Sequence, residues 1–204
     1  MKIYSPFGEI VLEETYEVEI KLPISDKDAM KKAIINSGGT QQKIEFQVDD
    51  YYDHPCRSFS ETDEAFRIRH RTISKGHSLS ETDDTLIELT YKGPKIDDKT
   101  KTRIEYNVDL HDSEAISQIL VHTGFKLIGR ITKHREIFDI EGITASLDDV
   151  ADVGNYIEFE LIADGKDEMK KAKDRVLKLA KNLGLNENDM VRDSYLELYF
   201  QDKS

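Results

Sequence analysis

Tyr16-Glu17-Val18-Glu19-Ile20-Lys21-Leu22 alternates polar and apolar residues without a break. A β-strand points successive side chains to opposite faces, so Glu17, Glu19 and Lys21 share one face and Tyr16, Val18, Ile20 and Leu22 the other. Two carboxylates and an ammonium in a row suit a strand wetted on one side. They equally suit one wall of a charged cavity that holds a metal and a polyanion. What decides is whether other strands carry matching charged faces.

Other strands do. Arg67, Arg69 and Arg71 alternate with Phe66, Ile68 and His70, and Glu88, Thr90 and Lys92 with Ile87, Leu89 and Tyr91. Arg103, Glu105, Asn107 and Asp109 alternate with Ile104, Tyr106 and Val108. Lys133 and Arg135 share a face before Phe138, and Thr144, Ser146 and Asp148 oppose Ile143, Ala145 and Leu147. Glu158 and Glu160 alternate with Ile157, Phe159 and Leu161. An ordinary half-buried sheet would pack its apolar face on helices and leave such charges in water. Two features favour an enclosed face. The charges cluster by sign, basic at Arg67/Arg69 and Lys133/Arg135, acidic at Glu17/Glu19 and Glu158/Glu160, whereas wet strands gain from opposite charges across the ladder. About eight strands is also a number that closes into a barrel with usable interior space.

The strands start near Glu14, Gln41, Ala65, Thr85, Arg103, Phe125, Gly142 and Asn155, with short links that favour antiparallel pairing. Three helices interrupt them. Ser25 is the expected N-cap of the first, with Asp28 in the capping-box position, Ala29, Ala33 and Ile34 inward and Gly38 at its end. The second spans about Asp112 to Gly124 with Ile116, Ile119 and Leu120 on one side. The third spans about Asp167 to Gly184 and turns Met169, Ala172, Val176 and Leu179 or Ala180 inward. A further helical turn is expected from Tyr195 to Phe200, and a loop from Ser74 to Asp84. No linker or repeat divides the chain, so a single domain over residues 1–204 is expected. The fold class is α+β: an eight-stranded antiparallel closed barrel with helices packed outside.

Composition narrows the function. A net charge of −12 argues against a general nucleic-acid binder. Cys56 is the one cysteine, so no intrachain disulfide exists and a reducing, cytoplasmic location is the simplest reading. Met1 to Leu12 lacks a signal-like apolar run, and no segment suits a membrane span. A tunnel with guanidinium and ammonium groups on some walls would bind polyphosphate oxygens, arginine bidentately. Its carboxylates would repel that anion unless a divalent cation stood between, which makes Mg²⁺ or Mn²⁺ the expected ion.

Glu17-x-Glu19-x-Lys21 also resembles the E-x-E-x-K signature of the CYTH superfamily, the class IV adenylyl cyclases and thiamine triphosphatases, also called triphosphate tunnel metalloenzymes. The resemblance continues in order through Asp50-Tyr51-Tyr52-Asp53-His54-Pro55, Phe66-Arg67-Ile68-Arg69, Leu89-Thr90-Tyr91-Lys92-Gly93-Pro94, Lys101-Thr102-Arg103-Ile104-Glu105, Lys133-His134-Arg135-Glu136, Leu147-Asp148 and Ile157-Glu158-Phe159-Glu160. The short motif alone is weak; the ordered set is specific. It implies a tunnel barrel in which Lys21, Arg67, Arg69, Lys92, Arg103, Lys133 and Arg135 grip phosphates. Glu17, Glu19, Asp148, Glu158 and Glu160 would supply metal ligands, Glu19 and Glu160 foremost, although Glu17 and Glu158 could do no more than balance neighbouring arginines. A homodimer is implied too, with no stripe of residues marking its interface.

Tyr-Tyr-Asp-His-Pro-Cys-Arg, Leu-Thr-Tyr-Lys-Gly-Pro-Lys and Lys-Thr-Arg place the resemblance nearest the cyclase branch, which implies ATP as substrate and cyclic AMP and pyrophosphate as products. The alternatives are hydrolysis of thiamine triphosphate or inorganic triphosphate in the same tunnel, or non-catalytic binding of a nucleotide or polyphosphate. His70 and His134 fall on the apolar sides of their strands, Cys56 has no metal-ligand spacing, and Asp53-His54 reads as a structural turn. Lys170, Lys171, Lys173 and Lys178 read as a solvated helix face.

Overall fold

The period-two runs do pair, and they pair antiparallel throughout. The structure, a computed structural model, describes residues 2–5, 8–11, 15–75, 79, 84–96, 102–201 and 203. In chain order its elements are β1 (Lys2–Ser5), β2 (Gly8–Val11), β3 (Thr15–Pro23), α1 (Lys27–Asn36), β4 (Thr40–Asp53), β5 (Ala65–Ser74), β6 (Asp84–Lys92) and β7 (Glu105–Leu110). There follow α2 (Ser113–His122), β8 (Lys126–Ile140), β9 (Ile143–Val150), β10 (Gly154–Asp164), α3 (Lys166–Asn182), a 3₁₀ turn (Glu187–Asp189) and α4 (Tyr195–Gln201). The main sheet has eight strands in the order β3-β10-β9-β8-β4-β5-β6-β7. β1 and β2 form a separate hairpin that the alternation reading omits. The expected loop from Ser74 to Asp84 lies largely outside the described residues, as do Glu14 and Lys101.

The barrel is not closed by a continuous ladder, which corrects the sequence expectation. Among the described residues the edge strands β3 and β7 share no ladder, and β3 meets the approach to β7 at an isolated bridge between Glu17 and Arg103. Two features explain the opening. β7 pairs with β6 only from Glu105 onward, so Arg103 approaches β3 from outside any strand. Further along β3, the Lys21 carbonyl already accepts the Val191 N–H at 2.8 Å. Glu17 and Lys21 are four residues apart, and an antiparallel strand turns the backbone groups of such residues to the same edge. The C-terminal segment thus occupies the edge that a closing strand would need. The result is a curled, open sheet.

Its convex face carries the core. Val18, Ile20 and Leu22 of β3 pack with Leu147 of β9, Ile157 and Phe159 of β10 and Phe138 of β8 under Ala172, Val176, Leu179 and Ala180 of α3. Met169 is only partly buried there. A second cluster joins Tyr52, Ile68 and Leu120 beneath α2 on the same face. A third joins Tyr51, Ile131, Val150, Tyr156 and Tyr195 on the opposite, charged side, where α4 covers one end of the sheet. Helix caps differ slightly from expectation. Asp26, not Ser25, caps α1 by accepting the Ala29 N–H at 2.9 Å, one residue nearer the first turn. Asp112 caps α2 in the same way through Ala115. Ile119, expected on the buried side of α2, is exposed, because only Ile116 and Leu120 reach the sheet. Gly38, Gly124 and Gly184 end the three long helices at positive φ, as read from the sequence.

Phe138→Ala removes a ring with no exposed surface from the largest cluster. Chemical denaturation of that variant is expected to show a loss of about 3–5 kcal/mol. An unchanged urea midpoint would contradict the packing described.

Candidate active site

Because the convex face takes most of the apolar residues, the charged faces land on the concave side, where they enclose a cavity of about 560 Å³. Arg67, Arg69, Lys92, Arg103, Lys133 and Arg135 line it, as do Glu17, Glu19, Glu158 and Glu160. Of the residues expected from sequence, Lys21 and Asp148 do not line the cavity. Both are buried behind its wall.

The basic wall is built on a carboxylate that the sequence reading missed. Asp49 of β4 lies opposite Arg69 in the ladder and accepts from Arg69 Nε at 2.5 Å and Nη2 at 2.6 Å, with Arg67 Nη1 at 3.4 Å. Burial alone would raise the Asp49 carboxyl, but the two guanidiniums outweigh it and hold the group well below the usual carboxylate range. Asp49 thereby orders two arginines in parallel. Arg67 Nε and Arg71 Nε are nevertheless buried without a hydrogen-bond partner among the described residues. Buried donors without partners are uncommon, and on a cavity wall they suit an acceptor brought by a ligand.

The end of the cavity under α4 is organised by Asp148. Its carboxylate accepts from Arg135 Nε at 2.6 Å, from Arg135 Nη2 and from the Tyr195 hydroxyl at 2.8 Å. Arg135 also donates to Glu158. Burial would depress the Arg135 guanidinium, yet Asp148 and Glu158 hold it far above its ordinary range, so it stays a cation. Lys21 Nζ donates to the Asp193 carbonyl and stands 4.2 Å from the centre of the Tyr195 ring, while Lys133 Nζ stands 4.9 Å from it. Lys133 differs from its neighbours. Burial, and then Arg135, pushes its ammonium down to about 7 against the pull of Asp148 3.7 Å away.

The acidic wall lies across the opening between β3 and β7. Lys92 Nζ donates to Glu17 at 3.2 Å and pairs with Glu105. Burial, with Glu105 and Glu160 nearby, raises the Glu17 carboxyl well above its ordinary value despite Lys92. Burial and then Glu19 likewise raise Glu160. Carboxylates buried this closely together fit a cation between them. Among the described residues, no three His, Cys, Asp or Glu side chains already converge as a metal cage. The donor chemistry fits a hard divalent cation that would share its shell with phosphate oxygens and water.

Glu105, Asp49, Arg71 and Tyr195 are among the site residues that sequence reasoning left unassigned. Glu105 and Arg71 lay on recognised charged faces, and Asp49 shares a face with Gln47 and Tyr51, so period two could have found all three. Nothing local marks Tyr195, which reaches the cavity from α4. His134 is exposed against Phe46 with ring centres 4.8 Å apart, and Cys56 is exposed and free. Asp53 accepts the N–H groups of His54 and Phe59, a turn-forming role.

A bound polyanion would favour the charged form of Lys133. Metal-free tripolyphosphate affinity is therefore expected to fall as pH rises through 7, by about ten-fold between pH 6 and 8 relative to Lys133→Met. Calorimetry at several pH values checks this; parallel profiles for the two proteins would contradict it.

The CYTH domain family model matches residues 15–195. A Methanocaldococcus jannaschii protein, provisionally named an adenylate cyclase, is 38% identical over 182 residues, covering 89% of this chain and 97% of its own. The PH1819 protein of Pyrococcus horikoshii superimposes with a TM-score of 0.81 at 36% identity, covering 91% of this chain and 98% of that one. A Hippeastrum protein, described as a provisional adenylyl cyclase with a dominant triphosphatase activity, shares the fold alone at 14% identity (TM-score 0.61; coverage 92% and 95%). The family match spans nearly the whole curled sheet and its charged face, and the chain belongs to the CYTH family.

Proposed function

We propose that this protein is a divalent-metal-dependent enzyme that takes ATP into the cavity and forms cyclic AMP and pyrophosphate. The observation that carries the reading is the opposition of two walls. Arg67, Arg69, Lys133 and Arg135 present cations and an unpartnered donor, and across from them burial, reinforced by neighbouring carboxylates, raises the proton affinity of Glu17 and Glu160. A triphosphate complements the first wall, and a cation bridging to it complements the second.

In this reading Arg67, Arg69, Arg135, Lys92 and Arg103 hold the phosphate chain, with Lys133 and Lys21 beneath it. Pairing with Asp49 and Asp148 keeps the guanidiniums oriented before substrate arrives, which is where positioning and charge stabilisation gain most. Glu19 and Glu160, with Glu17 and Glu105, would hold the metal. Asp148 is committed to Arg135 and Tyr195, and Glu158 to Arg135, so both serve as charge partners instead. When bound, Mg²⁺ or Mn²⁺ supplies neutralisation of phosphate charge and a lower pKa for the attacking hydroxyl. The ribose 3′-oxygen forms its bond to the α-phosphorus as the bond to pyrophosphate breaks, and the hydroxyl proton passes to solvent.

Hydrolysis is the second reading, favoured by one observation: the charged walls contact phosphate and by themselves do not choose a ribose hydroxyl over water. Incubation with Mg²⁺ or Mn²⁺ and, separately, ATP, thiamine triphosphate and tripolyphosphate decides between them. Cyclic AMP with pyrophosphate is expected; orthophosphate without cyclic nucleotide assigns the protein to the triphosphatases.

Glu160→Ala is expected to abolish most metal-dependent turnover, and Arg135→Ala to lower kcat/KM by about a hundred-fold or more. Full activity in the first would remove Glu160 from the metal site. Unchanged triphosphate affinity in the second would remove the basic wall from substrate binding.

A further inference from the structure

Between the phosphate-gripping cations and the Lys43 end of the cavity, two buried polar atoms lack partners among the described residues, and an ionised phosphate could satisfy only one of them. Gln47 of β4 lines the cavity and is 1% exposed. Its Nε2 donates to Glu45. Glu45 is itself held by Lys43 at 2.7 Å, and Lys43 keeps its carboxyl below the ordinary range despite burial. An ionised carboxylate only accepts, so the amide of Gln47 is locked with its nitrogen on Glu45 and its oxygen away. That oxygen, Oε1, is buried with no hydrogen-bond partner. Directly across the ladder stands Arg71, which gives Nη2 to Glu88 at 3.2 Å and leaves Nε buried without a partner.

An acceptor and a donor, both unsatisfied, therefore stand on neighbouring strands. Ionised phosphate oxygens can accept from Arg71 but have no proton for Gln47. A sugar hydroxyl both donates and accepts, and so does the amidine edge of adenine. The surroundings change character in the same direction. Beyond Lys133 and Arg135 on the same face of β8, Ile137 lines the cavity and is paired in the ladder with Lys43. The polyphosphate end thus gives way to a region suited to a sugar and base.

We propose that Gln47 and Arg71 form a specificity element that reads a donor–acceptor group next to the triphosphate, selecting a nucleoside triphosphate over inorganic tripolyphosphate. This rests on the triphosphate reading of the cavity and adds the residues that recognise the nucleoside part of the substrate. Glu45 acts as a positioning residue by fixing the amide. A buried polar group left unpaired by the wrong ligand is a strong discriminator, because its desolvation cost is not recovered.

The test is calorimetric binding, with Mg²⁺, of ATP, 3′-deoxy-ATP, purine riboside triphosphate and tripolyphosphate. Wild type is expected to prefer ATP to tripolyphosphate. Gln47→Leu is expected to lower the ratio of those two affinities about ten-fold. Glu45→Gln, which lets the amide turn over, should lower it part of the way; in both variants retained tripolyphosphate binding reports an intact fold. Loss of the preference with 3′-deoxy-ATP identifies the hydroxyl as the group read, and loss with purine riboside triphosphate identifies the amino group. An unchanged ratio in Gln47→Leu, or a wild type that binds tripolyphosphate as tightly as ATP, overturns the inference and leaves the tunnel reading standing. Binding of neither ligand by wild type overturns both.

Discussion

Asp148 holds the site to the scaffold. Its carboxylate has no exposed surface, yet it takes two bonds from Arg135 and one from the Tyr195 hydroxyl. β9, β8 and α4 are thereby joined at one buried charge, with Lys133 close by. Burying ions costs several kcal/mol each, and Coulomb attraction recovers this only when the remaining lone pairs are also satisfied. Asp148 meets that condition, and Asp49 repeats the solution one wall away with Arg69 and Arg67. The cations are held in place by the protein's own anions, so they need no substrate to order them.

This constraint accounts for the shape of the sheet. One face is apolar enough to pack on α3 and α2. The other carries charge on every strand outside the aromatic end beneath α4, and that charge must be compensated or hydrated, so the sheet curls around it instead of stacking on a second layer. Where compensation is internal, as at Asp148 and Asp49, the wall is rigid. At Glu17, Glu105 and Glu160 it is incomplete, and the carboxylates shift one another's proton affinity. That imbalance lies beside the opening between β3 and β7, where Arg103 bridges to Glu17. The place least satisfied by the chain itself is thus the place best suited to a cation and its polyanion.

Much of the site was legible because strand geometry converts spacing directly into sidedness. Glu17-x-Glu19-x-Lys21, Arg67-x-Arg69, Lys133-x-Arg135 and Glu158-x-Glu160 each determine a face without reference to anything distant. The helix termini were legible to within a residue or two for the same local reason, since Asp26 and Asp112 cap through their own first turns. Lys21 and Asp148 show the limit. Each points to the charged side, yet depth along the curled sheet, and the arrival of Tyr195 above them, puts both behind the wall.

The sequence by itself determined the alternation, hence which side chains share a face, the antiparallel α+β class and the family signature, because these depend on neighbours one to four residues apart. Only the tertiary structure decided that the sheet stays open, that Asp49 and Asp148 orient the arginines, that Tyr195 closes one end, and that Gln47 and Arg71 are left unsatisfied together. Each of those outcomes depends on which segments meet across the fold: Val191 on the β3 edge, α4 over β8, and β4 between β5 and β8. Such meetings are set by packing and by the balance of buried charge over the whole chain, which no local spacing encodes.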